Sequence, residues 1–269
     1  MTLTVAIHGV AGRMGRTVVK LVHEASDLSL VAAVDAEGSS EVGRDAGELV
    51  GLPAIGVSVS GRIESLLEAD VVVDFSLAMA LPRLFDALEQ KHVPLVLATT
   101  GLDEALQARL TELARVQPLI AAGNYSTGVA VLSHLAERAA ALLPEFDVEI
   151  VEMHHRHKID APSGTALGLL DAAVRGRGHH GREHAVYGRQ GHTGARTSNE
   201  IGVMALRGGD VIGDHTLMLA GPGERLELTH RASNRELFAH GALRAARWLP
   251  GKPAGRYSMA QVLGLSDHR

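Results

Sequence analysis

Thr4-Val5-Ala6-Ile7-His8-Gly9-Val10-Ala11-Gly12-Arg13-Met14-Gly15-Arg16 is the stretch on which the fold turns. Thr4–His8 reads as a short apolar strand, the glycines at GxxGxxG spacing as a tight turn, and Val18, Val19, Leu21 and Val22 as the apolar face of a helix. A second strand over Leu30–Val34 ends at Asp35, twenty residues beyond Gly15. Strand, glycine turn, helix and acid-tipped strand, in that order, are the context in which such a turn cradles a phosphate. The acid is then placed to accept hydrogen bonds from the ribose hydroxyls of an adenine dinucleotide. Ala11 stands where the usual second glycine would be, so the glycines alone read equally well as a packing turn. The surrounding register carries the assignment to Gly9, Val10, Ala11, Gly12, Arg13 and Met14. A carboxylate at Asp35 favours the free hydroxyl of NADH over the 2′-phosphate of NADPH. Ala36 brings no compensating cation, which leaves Arg13 or Arg16 to reach that phosphate.

The same alternation continues outward. Strands are expected over Val71–Ser76, Val93–Ala98 and Pro118–Ala122, with helices over Ala78–Gln90 and Asp103–Val116, and Glu37–Gly61 as a loop with short pieces of structure. This predicts an α/β fold with an N-terminal Rossmann-like, doubly wound parallel sheet. Ligands of such sheets bind beyond the carboxyl ends of the strands, where Asp74-Phe75-Ser76, Ala98-Thr99-Thr100-Gly101 and Gly123-Asn124-Tyr125-Ser126 fall. Each of these is by itself an ordinary turn; together they suggest a wall on the nicotinamide side. Near Ser126 the pattern changes. A helix over Val129–Leu143, a strand over Phe146–Glu152 and a helix over Gly164–Arg177 precede strands at Glu200–Leu206, Asp210–Ala220 and Arg225–His230. This reads as a second α+β domain with a mainly antiparallel sheet. An amphipathic helix over Arg235–Leu249, a turn at Gly251–Gly255 and a short helix over Ser258–Leu263 close the chain.

The chemistry concentrates at Glu152-Met153-His154-His155-Arg156-His157-Lys158-Ile159-Asp160-Ala161-Pro162-Ser163-Gly164-Thr165. Histidine is the side chain most readily tuned to move a proton near neutral pH, and lysine adds a fixed charge or a second donor. Pro162 holds Ala161 extended, and Ser163 is a good helix N-cap. The amides of Gly164 and Thr165 would then face outward at a helix start that favours an anion. Cationic acid/base groups beside a carboxylate-sized anion site suit a small acidic substrate. The plain alternative is a solvated basic loop. A metal site is the other reading, but the chain has no cysteine and these histidines lack the i, i+4 spacing of a helical zinc pair, so no metal is assigned.

Composition narrows the classes. The 269 residues suffice for one large or two ordinary domains, and with 46% hydrophobic but 3% aromatic residues the core must be aliphatic. A net charge of −5 gives no general pull toward nucleic acid. The absence of cysteine removes disulfide and thiolate chemistry and fits a reducing compartment. No signal peptide and no membrane-length apolar run are visible, so the expectation is cytoplasmic.

Together these motifs resemble the 4-hydroxy-tetrahydrodipicolinate reductase (dihydrodipicolinate reductase) family over essentially the whole chain. The resemblance rests on Gly9–Gly15, Asp74-Phe75-Ser76, Thr99-Thr100-Gly101 and, above all, His154–Lys158 followed by Asp160–Thr165. Glu200-Ile201-Gly202, Arg207–Asp210, Gly213–Thr216 and His230-Arg231-Ala232 continue it. It implies NAD(P)H-dependent reduction of 4-hydroxy-tetrahydrodipicolinate, a small cyclic dicarboxylate, to tetrahydrodipicolinate in lysine and diaminopimelate biosynthesis. NADH, NADPH or both would serve as cofactor. It further implies His154 as proton donor or acceptor and Lys158 as proton donor. His155, Ser163, Gly164 and Thr165 fall at substrate positions, and Ala98, Thr99, Thr100, Gly123, Asn124 and Tyr125 line the cofactor. Residues 1–125 and 236–269 would form the dinucleotide-binding domain, and residues 126–235 the substrate-binding and oligomerisation domain of a homotetramer. Two departures stand out: Leu77-Ala78-Met79 replaces a common Pro-Glu pair, and Ala36 replaces an arginine that some members use for the 2′-phosphate. Other readings are a dehydrogenase for a different carboxylic acid, a nucleotide-sensing regulator and a metal-dependent hydrolase.

Overall fold

Apolar runs that must be covered on both faces become the parallel strands of a first unit. In the computed structural model, which describes residues 2–265, it opens with β1 (Leu3–His8), α1 (Arg13–Glu24), β2 (Leu28–Val34) and β3 (Val59–Ser60). It continues with β4 (Val71–Asp74), α2 (Leu81–Gln90), β5 (Leu95–Leu97), α3 (Glu104–Val116) and β6 (Pro118–Ala121). The chain then builds a second unit from α4 (Thr127–Leu142), β7 (Asp147–His154), α5 (Gly164–Gly176), β8 (Ala185–Val186), β9 (Ile201–Arg207), β10 (Asp214–Gly221) and β11 (Glu224–Arg231). It returns to the first unit with α6 (Glu236–Trp248), β12 (Gly255–Tyr257) and α7 (Met259–Val262). Backbone contacts accordingly separate Met1–Ser126 with Glu236–Arg269 from Thr127–Arg235. Among the described residues no helix is long and apolar enough to cross a membrane.

The first sheet runs β12-β6-β5-β4-β1-β2-β3, and every pairing is parallel. Its central residues Val5, Ala6, Ile7, Val71, Val72 and Val73 are fully buried, as uninterrupted valine and isoleucine runs require. Strand order reverses between β1 and β4, so the turns after these two strands open at a switch point of the sheet. The helix expected from Ala78 starts as a 3-10 turn over Ala78–Ala80 and becomes α-helical just before Pro82, whose missing N–H costs nothing in a first turn. Gly255–Tyr257, expected to be partly turn, is an edge strand paired with Pro118–Ile120. The long loop after β2 is organised by Asp45, which accepts from the amides of Ile55, Gly47 and Gly56. The Ile55 amide, ahead of the others, holds its carboxyl below the usual range.

The second sheet runs β11-β10-β7-β9-β8 and is mixed. β10 pairs antiparallel with both β11 and β7, while β9 pairs parallel with β7 and β8. Alternation along β7 buries Val148, Ile150, Glu152 and His154 on one face. There Val148 and Ile150 join Leu217, Leu219, Ala166 and Leu169 in a core beneath α4 and α5. The opposite face carries the cross-strand row Met204, Val151, Thr216 and Thr229.

Candidate active site

The glycine turn of the first unit is dictated by close approach. Gly9 has φ +80°, and a Cβ on it would lie 2.7 Å from the Phe75 carbonyl oxygen; a Cβ on Gly15 would lie 2.2 Å from the Gly9 oxygen. Both positions therefore need glycine for α1 to start this close to β1 and β4. Asp35 closes the turn from the side: one carboxylate oxygen accepts from the Ala11 amide at 2.8 Å, the other from the Ala36 amide at 2.9 Å. Ala11 thus shapes the turn and gives its own N–H to Asp35. Each Asp35 oxygen retains a further lone pair for a hydroxyl. Arg16 is committed elsewhere, to the carbonyls of Ala11 and Leu49 and to Glu41. Arg13 is exposed at the helix start, and Val10 is buried beneath it.

A cleft of about 470 Å³ opens beside this turn, lined by Gly9, Gly12, Asp35, Phe75, Met79 and Arg83 among others. His8 also faces it, and its Nδ1 lies 2.6 Å from Asp74, the residue paired with it across β1 and β4. Asp74 is fully buried and also accepts from the hydroxyls of Ser76 and Thr99. Thr99 and Tyr125, both expected at the cofactor, spend their side chains internally. The Tyr125 hydroxyl is shared between the carbonyls of Leu97 and Ile120, and burial pushes it well above its usual pKa. At the ends of β5 and β6 Thr100 and Gly123 are exposed, while Asn124 accepts from the Ser126 amide at 2.8 Å.

In the second unit, β7 delivers Glu152 and His154 to the helix-facing side. Glu152 Oε2 lies 2.6 Å from His154 Nδ1, and the Arg207 guanidinium forks onto the same carboxylate at 2.9 and 3.0 Å. The Ser163 amide adds a fourth bond at 3.1 Å. Burial alone would push the Glu152 carboxyl up; the bonds from Arg207, His154 and Ser163 outweigh it and hold the group below its usual pKa. An ionised Glu152 fixes the proton on His154 Nδ1 and leaves Nε2 for proton exchange. Ser163 caps α5, accepting from the Ala166 amide, and its hydroxyl is hydrogen-bonded to His215 Nε2, 3.0 Å away. Gly164 opens that helix on the exposed side. Lys158 Nζ pairs with Asp160 at 2.8 Å, and Arg207 also holds the Asp160 carbonyl, which fastens the loop to the strand. His155 lies 3.5 Å from Arg235, and desolvation, with that cation second, lowers its pKa.

Sequence reasoning missed Glu152 as a partner, Arg207 and His215. The two histidine rings of His154 and His215 meet edge to face at 5.1 Å. Burial first, then the His154 charge, depresses His215 to about 4, with Glu152 opposing and His230 and Lys158 adding smaller effects. A depressed histidine stabilises the fold above its unfolded pKa near 6.5, and that stability is lost as pH falls toward 4. The expected loss is about 3 kcal/mol. Thermal melts from pH 7 to 4 should fall more steeply for the wild type than for His215→Gln; parallel slopes would overturn this account.

A parallel sheet with a glycine turn at its switch point and an acid after the second strand defines a nicotinamide-dinucleotide oxidoreductase class. The relatives narrow it. Residues 3–125 match the family described as dihydrodipicolinate reductase, N-terminus, and residues 128–263 match dihydrodipicolinate reductase, C-terminus. A 4-hydroxy-tetrahydrodipicolinate reductase of Alkalilimnicola ehrlichii is 51% identical over 98% of this chain and 100% of its own length. One from Thiobacillus denitrificans is 50% identical over 98% of this chain and 100% of its own. The solved structure of dipicolinate-bound dihydrodipicolinate reductase from Paenisporosarcina sp. TG-14 superposes with a TM-score of 0.77 at 27% identity, covering 97% of this chain and 99% of that one. The chain belongs to the dihydrodipicolinate reductase family, whose members are NAD(P)H-dependent oxidoreductases.

Proposed function

We propose that this protein reduces 4-hydroxy-tetrahydrodipicolinate to tetrahydrodipicolinate with NADH or NADPH, in lysine and diaminopimelate biosynthesis. The observation that carries the residue assignment is the buried Glu152–His154 pair with Lys158 on the loop that follows it. The first unit would hold the dinucleotide, with Gly9–Met14 around the pyrophosphate and Asp35 at the ribose. The first-unit cleft has room for such a group beside the turn, with Gly9 and Gly12 among its lining residues. When bound, the reduced nicotinamide supplies the hydride. The second unit would hold the substrate: the helix start at Gly164 and Thr165 and the side chain of His155 take its carboxylates. Ser163 acts from behind, because its N–H and hydroxyl are engaged by Glu152, Ala166 and His215. The 4-hydroxyl leaves the substrate as water, with a proton from the neighbouring carbon, which makes the ring conjugated; as hydride reaches its electron-poor carbon, negative charge builds on the ring. The Lys158 ammonium stabilises that charge, and Lys158 or His154 delivers the proton. A cytoplasmic homotetramer fits this reading, supported by the partly apolar row Met204, Val151, Thr216 and Thr229 on the sheet face away from α4 and α5.

The test is NADH oxidation with substrate generated in place from pyruvate and aspartate semialdehyde by the preceding synthase, repeated with NADPH. Oxidation that needs both proteins supports the reductase. NADH binding without oxidation would move the function to another acid or to a sensor. For the ribose contact, Asp35→Ala should weaken NADH binding about tenfold or more, with turnover at saturation changed far less. An unaltered NADH titration would count against it.

A further inference from the structure

The cleft beside the glycine turn contains an ion pair that the family's cofactor motifs do not explain. Arg83, in the first turn of α2, places Nη2 2.6 Å from Glu37 Oε1, just beyond the end of β2, and both residues line the cleft with Asp35 and Ala36. Among the described residues, Arg83 is the one guanidinium lining that cleft. Arg16 is locked to Ala11, Leu49 and Glu41, and Ala36 carries no charge. The same rim exposes Leu77 (68%) and Met79 (84%), side chains that ordinarily avoid water and that offer a flat base an apolar wall.

We propose that Arg83 recognises the adenosine 2′-phosphate of NADPH, and that Glu37 competes with the phosphate for it. The proposal rests on the cofactor reading above. With the ribose hydroxyls at Asp35, a 2′-phosphate emerges beside Ala36, on the side of the cleft where Glu37 and Arg83 meet. Their side chains are 55% and 65% exposed for Arg83 and Glu37 respectively, so the pair is solvent-screened and weak. A phosphate carries more charge than a carboxylate and presents two oxygens to the guanidinium fork, so it displaces Glu37. NADH leaves the pair closed. Cofactor preference is then set by the competition at residues 37 and 83, from two different elements, and not by residue 36.

The experiment titrates the full-length protein with NADH and with NADPH, following nucleotide fluorescence. It compares the wild type with Arg83→Gln and Glu37→Gln, and repeats the comparison with 5′-AMP and 2′,5′-ADP as competitors. Arg83→Gln should raise the Kd ratio of NADPH to NADH about tenfold, and Glu37→Gln should lower it several-fold. The 2′,5′-ADP to 5′-AMP ratio should follow the same course. An unchanged ratio in Arg83→Gln, whether both affinities hold or both fall together, overturns the assignment to Arg83. Failure of the wild type to bind either dinucleotide overturns the cofactor reading itself.

Discussion

Lys158→Ala should lower kcat by about 10²–10⁴, the range general acid catalysis supplies, while NADH binding stays within about twofold. Lys158 lies on the loop after β7, and its ammonium is paired with Asp160 at 2.8 Å. The Asp160 side chain is largely exposed and Lys158 is mostly covered, so the acid can turn to solvent while the ammonium remains in place. A substrate carboxylate or a developing negative ring is a stronger partner than a hydrated carboxylate, and Lys158 would exchange Asp160 for it. Lys158→Arg separates the two contributions: it keeps the charge but cannot release a proton. If charge alone matters, Arg restores most of the rate; if proton delivery matters, Arg is nearly as slow as Ala. The cofactor is assigned to the first unit, so its affinity serves as the internal control for folding. An unchanged kcat in Lys158→Ala would remove Lys158 from the chemistry.

What the sequence reveals and what it conceals follow the range of the interactions involved. The β1 turn is legible because every determinant lies between Thr4 and Asp35: apolar run, glycines, helical period and the acid itself. Ser163 as a cap is legible for the same reason. Register is another matter. Arg207 stands opposite His154 only because β9 pairs parallel with β7, and His215 stands opposite Glu152 only because β10 pairs antiparallel with it. Neither alignment leaves a local trace, so the groups that hold His154 were invisible while His154 itself was not. β12 escaped for a related reason: Gly255–Tyr257 has no strand pattern of its own and becomes one by pairing with β6. Glu152 was quotable as part of the histidine stretch, and two-residue spacing along a strand is a signal that it shares a face with His154. The Arg83–Glu37 pair joins a helix to a loop and could not be anticipated from either.

That shared face makes Glu152 the second place where a large effect is expected. Glu152→Gln keeps the side-chain shape but removes the charge that three donors converge on. An amide at this position cannot accept from both Arg207 and His154 with the same strength, and its NH₂ can donate to His154 Nδ1. Donation there moves the ring proton to Nε2 and inverts what His154 offers to the substrate. The expected result is a fall in kcat of about 10²-fold together with a changed pH–rate profile, while KM changes less. Stability should drop by about 2 kcal/mol, since the partly buried Arg207 guanidinium loses its counter-charge. Because the Glu152 carboxyl is depressed in the folded state, its stabilising contribution is present above the unfolded pKa near 4.5 and disappears as pH falls below it. Glu152→Gln should therefore lose that part of the acid sensitivity of the wild type. Glu152→Asp, shorter but still charged, should recover the pH profile in part, and it guards against a Gln variant that fails to fold. A folded Glu152→Gln protein with the wild-type kcat and pH profile would show that His154 needs no carboxylate behind it. The pair would then be a packing feature, and proton transfer would rest on Lys158 alone.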